Sequence, residues 1–206
     1  MTRETREYEV ATYDELTEEQ QQEVISNYQD INTDDDYWVD DVNDDHVALL
    51  EDLGFNGVKI AYSGFWSQGD GASFTCSSVD VSKYLEAKDL TKEFNLVVKA
   101  LESDNLHISI DINRNHSRYY HEKSTTVNMD YTLYDEDSDD EALTSKELEK
   151  QLSDLEEYIT EDVISLNKAI YRDLEASYEY LASDESIANT LKSNDYMFNL
   201  KTLKID

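Results

Sequence analysis

The positions of glycine and proline constrain this chain more than any other feature of its sequence. All five glycines fall in the window Gly54–Gly71, and proline is absent from the 206 residues. These two residue types most readily end helices and form tight turns. Helices outside the window can therefore run long, and the apolar spacing from Thr144 to about Leu181 predicts one long helix.

Hydrophobic periodicity predicts the remaining elements. A capping box at Thr17 and further helical spacing indicate helices, expected over about 14–30, 37–53, 79–101 and 184–193. The helix over 37–53 has an apolar side that includes Leu49 and Leu50, and Phe94–Val98 also suits a strand. Strict alternation and the glycine window indicate strands, expected over about 58–63, 72–77, 106–112, 127–133 and 197–205.

These elements sum to an α+β fold: an antiparallel β-sheet with helices packed on one side and a long acidic helix in the C-terminal half. The chain has 15 tyrosines, whereas disordered chains are usually poor in aromatic residues. We therefore expect a single folded domain over 1–206. The alternative is a subdivision into an α+β core, 1–134, and an acidic helical arm with a terminal strand, 135–206.

The charge is strongly acidic and unevenly distributed. The chain has 48 acidic and 17 basic residues, for a net charge of −31. No lysine or arginine occurs between Glu7 and Val58, and a second acidic block runs from Asp135 to Asp162. Such a chain is not expected to bind nucleic acid directly or to coat an anionic membrane. It has no apolar run of membrane-spanning length, and the single cysteine, Cys76, excludes an intramolecular disulfide.

Blocks of carboxylates with few or no lysines and arginines among them can serve as a protein-binding surface. B-DNA carries one charge per roughly 1.7 Å of its axis. Carboxylates on successive turns of two adjacent helices approach that density, so they can occupy a basic cleft. The carboxylates predicted to contact a partner are Asp34, Asp35, Asp36, Asp40, Asp41, Asp44, Asp45, Asp135, Asp137, Asp139, Asp140, Glu149, Glu156 and Glu157. The alternative is a solvated surface that only keeps the protein dispersed.

The glycine window contains a second candidate surface. Its central connection, Gly64–Gly71, carries Phe65, Trp66 and Asp70. One hypothesis is that the two aromatic side chains fold back onto the core of a tight hairpin. The other is that they form an aromatic anchor, with Asp70, for a protein partner.

Catalytic and metal-binding patterns are weak. Calcium loops starting at Asp34 or Asp135 lack the glycine at their sixth position, so we predict no metal site. His116 and His121 lie near Arg114 and Arg118 on an expected loop, where they suit anion binding or a polar hairpin tip. No nucleotide-binding or nucleophile motif occurs. We therefore expect no enzyme activity and no cofactor.

Several segments resemble a group of small acidic proteins from tailed phages and prophages. The resemblance is carried by Tyr13-Asp-Glu-Leu-Thr-Glu-Glu-Gln-Gln21, by Asp36-Tyr-Trp38, by the string Ser63-Gly-Phe-Trp-Ser-Gln-Gly-Asp-Gly-Ala-Ser-Phe74, and by Tyr180-Leu-Ala-Ser-Asp-Glu-Ser-Ile187. The functions of the group are largely unknown, and some members are labelled antitoxins. The resemblance implies a phage protein that acts in the cytoplasm of a bacterial host.

Charge and resemblance together give one expectation of function. The chain is expected to be a phage-encoded, non-enzymatic inhibitor of a host defence nuclease, of the restriction or CRISPR type. It would act as an acidic nucleic-acid mimic in the basic cleft of a host nucleic-acid-binding protein or nuclease complex. The alternative is an antitoxin-like or regulatory module that binds protein through Phe65 and Trp66. The long helix is also compatible with a homodimer.

Overall fold

A computed structural model describes residues 9–115, 118–134 and 146–206. The chain divides into two units. The terminal unit comprises Met1–Asp40 and Glu175–Asp206, and the central unit comprises Asp41–Leu174. The expectation of a single domain, or of a boundary at 134/135, stays a prediction.

The described residues form both helices and antiparallel strands, which confirms the α+β class. In chain order the helices α1 to α6 are Glu18–Asn27, Tyr37–Asp52, Val81–Ala87, Asn95–Glu102, Lys146–Leu181 and Asp184–Ser193. The strands β1 to β8 are Val10–Thr12, Phe55–Asn56, Lys59–Tyr62, Ala72–Thr75, Ser78–Val79, Leu106–Arg114, Thr125–Leu133 and Met197–Asn199. They pair antiparallel as four two-stranded ladders, β1–β8, β2–β5, β3–β4 and β6–β7.

The terminal unit has its own apolar core. Val24, Leu191 and Phe198 are fully buried there, and Tyr13 and Tyr28 pack edge-on against the Phe198 ring at centroid distances of 6.5 and 6.3 Å. The Thr17 side chain caps α1 by accepting the Gln20 N–H. This capping box was predicted, but α1 is shorter than expected because a 3-10 turn, Tyr13–Glu15, and an extended Leu16 precede it.

The core of the central unit lies along one side of α5. Buried side chains recur there every three or four residues: Leu148, Leu152, Leu155, Ile159, Val163, Asn167, Ile170 and Leu174. This spacing keeps them on a single helix face. Phe55 packs against Phe74 and Tyr84 at ring-centroid distances of 5.2 and 5.6 Å.

The β6–β7 ladder pairs nine residues on each strand, from Leu106↔Leu133 to Arg114↔Thr125. Cys76 and Ile112 form a bridge next to it, with a hydrogen bond in each direction. The expected helix over 79–101 is interrupted, because α3 ends at Ala87 and Asp89 adopts a left-handed φ of 57°. Across the described ranges, no helix combines the length and the apolar character needed to cross a membrane.

Candidate protein-binding surfaces

All seven aspartates predicted to bind a partner at or before α2 are exposed. Asp34, Asp35, Asp36 and Asp40 belong to the terminal unit, whereas Asp41, Asp44 and Asp45 belong to the central unit. Among the described residues, no ion pair uses any of them. The Oδ1 of Asp35 accepts the backbone N–H of Tyr37 at 3.2 Å. Their charge is therefore not compensated by a cation within the described chain.

Asp41, Asp44 and Asp45 form the densest run in the central unit; we call it the α2 acidic face. At 1.5 Å per residue these three carboxylates span about 6 Å of helix axis, which gives a mean spacing of about 3 Å. B-DNA carries one charge per roughly 1.7 Å. At about 100° per residue, the three side chains also lie within an arc of about 100°. Over one helical turn this face therefore carries a little over half the axial charge density of duplex DNA.

The acidic residues of α5 are more widely spaced. Glu149, Glu156 and Glu157 are exposed, and the latter two line a shallow groove of about 430 Å³ with Ser153, Thr160 and Glu161. The five acidic residues from Glu149 to Glu161 spread over about 18 Å of axis, which gives a mean spacing of about 4.5 Å. This helix is the poorer match to a duplex. The remaining predicted contacts, Asp135, Asp137, Asp139 and Asp140, lie outside the described residues.

The two aromatic residues of the Gly64–Gly71 loop lie in different environments. Phe65 is half-buried, with its ring 5.8 Å from both the Tyr62 and Tyr171 ring centroids. Trp66 is 65% exposed and adopts a left-handed φ of 65°, which is rare for a bulky residue. The loop thus fixes one aromatic residue against the central unit and presents the other to solvent.

Asp70 helps to hold this loop in shape. Its Oδ2 accepts the Ser67 N–H at 2.7 Å, and its own N–H donates to the Ser67 carbonyl at 3.1 Å. A Cβ built on Gly69 would lie 2.7 Å from the Tyr119 ring. Since the carboxylate is engaged within the loop, the structure gives Asp70 a local role in loop conformation.

A family model described as "Domain of unknown function (DUF8835)" matches residues 38–184. The match covers 147 of the 206 residues, which is more than half of the chain. This chain belongs to the DUF8835 family. No curated protein and no solved structure matches it.

The DUF8835 match includes the α2 acidic face, the glycine window and α5. Asp34, Asp35 and Asp36 lie before it. The surfaces described above in the central unit are therefore part of the family domain.

A cleft between α2 and α5, inside the family domain, was not predicted. It has a volume of about 300 Å³ and is lined by Val42, Asp45, His46 and Leu49 from α2 and by Asp173 from α5. His46 Nε2 lies 3.2 Å from Asp173 Oδ2, and Arg172 Nε lies 3.3 Å from Asp173 Oδ1. Leu49 is 50% exposed although Leu50 is fully buried, so the apolar side expected for α2 is only partly covered. Sequence spacing gave no signal for this cleft, because its two walls lie over 100 residues apart.

The connection between β6 and β7 carries the histidines considered for catalysis. His121 Nδ1 accepts the Lys123 N–H at 3.1 Å, and His116 lies outside the described residues. The Arg114 guanidinium stacks 3.7 Å from the Tyr120 ring centroid and donates to its hydroxyl at 2.7 Å. These contacts order the hairpin tip.

The described residues contain no group of three or more His, Cys, Asp or Glu side chains suited to a metal ion. Cys76 is a buried free thiol, and desolvation raises its pKa to about 11. A thiol with that pKa is a poor nucleophile near neutral pH.

Proposed function

We propose that this DUF8835 protein is a phage-encoded, non-enzymatic inhibitor of a host defence nuclease of the restriction or CRISPR type. It acts as an acidic nucleic-acid mimic and occupies the basic cleft of its target. The resemblance to small acidic phage proteins supports the phage origin and the cytoplasm of the bacterial host as the place of action.

The observation that carries the proposal is the α2 acidic face. Its three carboxylates are exposed, have no ion-pair partner among the described residues, and lie about 3 Å apart on average along the helix axis, within twofold of the roughly 1.7 Å charge spacing of duplex DNA. A net charge of −31 adds long-range attraction to any basic cleft. Association is therefore fast at low salt and weakens as counterions screen the charges.

The test is capture followed by competition. The chain is immobilised, bacterial lysate is applied at low salt, and captured proteins are challenged with duplex DNA. We expect a nucleic-acid-binding protein or nuclease complex that duplex DNA displaces. Adding the chain should then inhibit cleavage by that purified nuclease. Capture that duplex DNA does not compete with, or undiminished cleavage, would overturn the proposal.

A charge-reversal variant localises the contact. Replacing the α2 acidic face with lysines, as Asp41→Lys, Asp44→Lys and Asp45→Lys, should abolish inhibition. The matched control reverses the exposed residues Glu86, Glu102 and Glu179, which changes the net charge equally at scattered sites. Inhibition by the control should fall only by the amount that the change in net charge causes through weaker long-range attraction. Equal losses in the two variants would show that local spacing has no part in recognition.

The exposed Trp66 favours a second candidate function, an antitoxin-like or regulatory module that binds protein through the Gly64–Gly71 loop. Exposed tryptophans are frequent hot spots of protein interfaces. In this case Trp66→Ala should weaken binding far more than the triple charge reversal, and salt should have little effect. The nucleic-acid mimic predicts the opposite order.

A further inference from the structure

The hydrogen-bond pattern of the β6–β7 ladder determines which backbone groups of β7 point away from β6. Ile112 exchanges both backbone hydrogen bonds with Cys76, each at 3.1 Å, so its backbone groups point away from β7. The Tyr134 N–H donates to Asn105, and the Asn115 N–H donates to Ser124, each at 2.9 Å. Antiparallel partners alternate between bonded and non-bonded pairs. Ile112↔Val127 is therefore a non-bonded pair, and the pattern repeats every second residue.

It follows that alternate residues of β7 direct their N–H and C=O groups to the outer edge of the ladder. These residues are Thr125, Val127, Met129, Tyr131 and Leu133. Within the described ranges no backbone hydrogen bond from another segment reaches this edge, and β7 pairs with β6 alone. The strand contains one charged residue, Asp130, and Tyr131 is 45% exposed. Long edges with so little charge are the ones that accept another strand.

We propose that the free edge of β7 pairs with β7 of a second copy of this chain. The two strands run antiparallel about a two-fold axis at Met129, which joins two ladders into one four-stranded sheet. This register overlaps all nine residues of each strand and places each outward-pointing residue opposite another outward-pointing one. About ten backbone hydrogen bonds can then form, two for each of five bonded pairs.

The sequence of β7 is complementary to itself in this register. Met129 faces its own copy, and Val127 faces Tyr131 on the apolar side. Asp130 faces Asn128 on the polar side, so no two charges of one sign stand opposite each other. Moving the axis to Asp130 would set two aspartates face to face, which destabilises a strand pair. Self-complementarity and the lone charge therefore favour a second copy over an unrelated strand.

Net charge opposes this association, which gives it a distinctive salt dependence. Each chain carries −31, so two copies repel one another at low ionic strength. At about 1 M salt the Debye length falls to about 3 Å and the repulsion is screened. The dimer should therefore tighten with salt, whereas the complex with a basic nuclease should weaken. The two proposals can fail independently.

Cross-linking of the full chain tests the register. Across the axis the two Met129 Cα atoms lie about 5.5 Å apart. The two copies of Thr126 lie about 20 Å apart, since six residues separate them along the strands. A short thiol-specific cross-linker should join Met129→Cys dimers and leave Thr126→Cys as monomers, with buried Cys76 as an equal background. Equal cross-linking of both variants would overturn this register.

Sedimentation velocity at increasing salt tests the association itself. Asn128→Lys sets a lysine opposite Asp130 of the other copy, twice per dimer, and should lower the dimer Kd by roughly 2- to 30-fold. Thr126→Lys carries the same charge but faces Thr132, and is the matched control. A chain that stays monomeric at about 1 M salt, or equal Kd values for the two lysine variants, would refute the β7 dimer.

Discussion

The Oδ1 of Asn167 accepts the backbone N–H of Phe74 at 2.9 Å, from a side chain that is completely buried on α5. Its Nδ2 lies 3.2 Å from the Glu122 carbonyl and 3.3 Å from the Thr125 hydroxyl. One amide thus joins the long helix to β4, to β7 and to the loop before β7. It takes a position in the apolar stripe of α5 where leucine would otherwise fit.

Replacing this amide should destabilise the central unit. Asn167→Leu keeps the number of side-chain heavy atoms but leaves the Phe74 N–H unpaired in the core, so we expect it to lower the free energy of unfolding by about 1–3 kcal/mol. Urea unfolding followed by circular dichroism measures the change. Asn189→Leu, at an exposed position on α6, is the control and should stay within about 0.5 kcal/mol. Similar losses at both sites would contradict the role given to Asn167.

The two aromatic residues of the glycine loop should respond differently to truncation. Phe65→Ala removes a half-buried ring packed between Tyr62 and Tyr171, and should destabilise the chain by about 1–3 kcal/mol. Trp66→Gly removes an exposed ring and relieves a left-handed φ, so stability should hold or rise by about 1 kcal/mol. Thermal melts of the two variants compare these effects. A larger loss for Trp66→Gly would mean that its indole supports the fold.

Gly71 marks a close approach between the glycine loop and the tip of the β6–β7 hairpin. A Cβ there would lie 2.6 Å from the His121 Cα and 2.7 Å from the Tyr120 carbonyl oxygen. Because backbone atoms cannot easily move, Gly71→Ala should lower stability by about 3 kcal/mol. Gly64→Ala, with its nearest neighbour 3.5 Å away but a φ of +56°, should lower it by about 1 kcal/mol. Chemical denaturation gives both values, and the reverse order would contradict the packing.

Two buried side chains that lose a proton at high pH, the Cys76 thiol and the Tyr84 hydroxyl, should make the folded state less stable in alkali. Burial raises the pKa of Cys76 from 9.0 to about 11, and burial followed by the charge of Asp162 raises the pKa of Tyr84 above 10. Because both pKa values are raised on folding, the native state binds more protons above about pH 9, and stability falls as pH rises.

The share of Cys76 in this effect can be measured. From about pH 8 to about pH 11 its contribution to the free energy of unfolding should fall by about 2 kcal/mol. Cys76→Ala lacks that contribution, so urea unfolding should give it a shallower decline than the unaltered chain over this range. Parallel declines would show that the thiol titrates at its ordinary pKa in the folded chain.

Local patterns in the sequence predicted most of the elements. The apolar spacing of α5 and α6 and the alternation in β6 and β7 each reflect burial of one face, which depends on residues close together in the sequence. The capping box at Thr17 is also a local pattern, since it joins residues three positions apart. The exposed aspartates of α2 followed from composition in the same way. Such features were predictable because each depends on residues a few positions apart.

Tertiary contacts decided what the sequence left open. Burial of Asn167, exposure of Trp66 beside half-buried Phe65, and the approach of His46 to Asp173 each depend on segments far apart in the chain. The four separate ladders are a further example, since the same strand patterns allow several pairings. Periodicity tells which side chains turn away from water, whereas only the packed chain determines which of them meet. The sequence itself determined the dense negative charge and the helices that carry it.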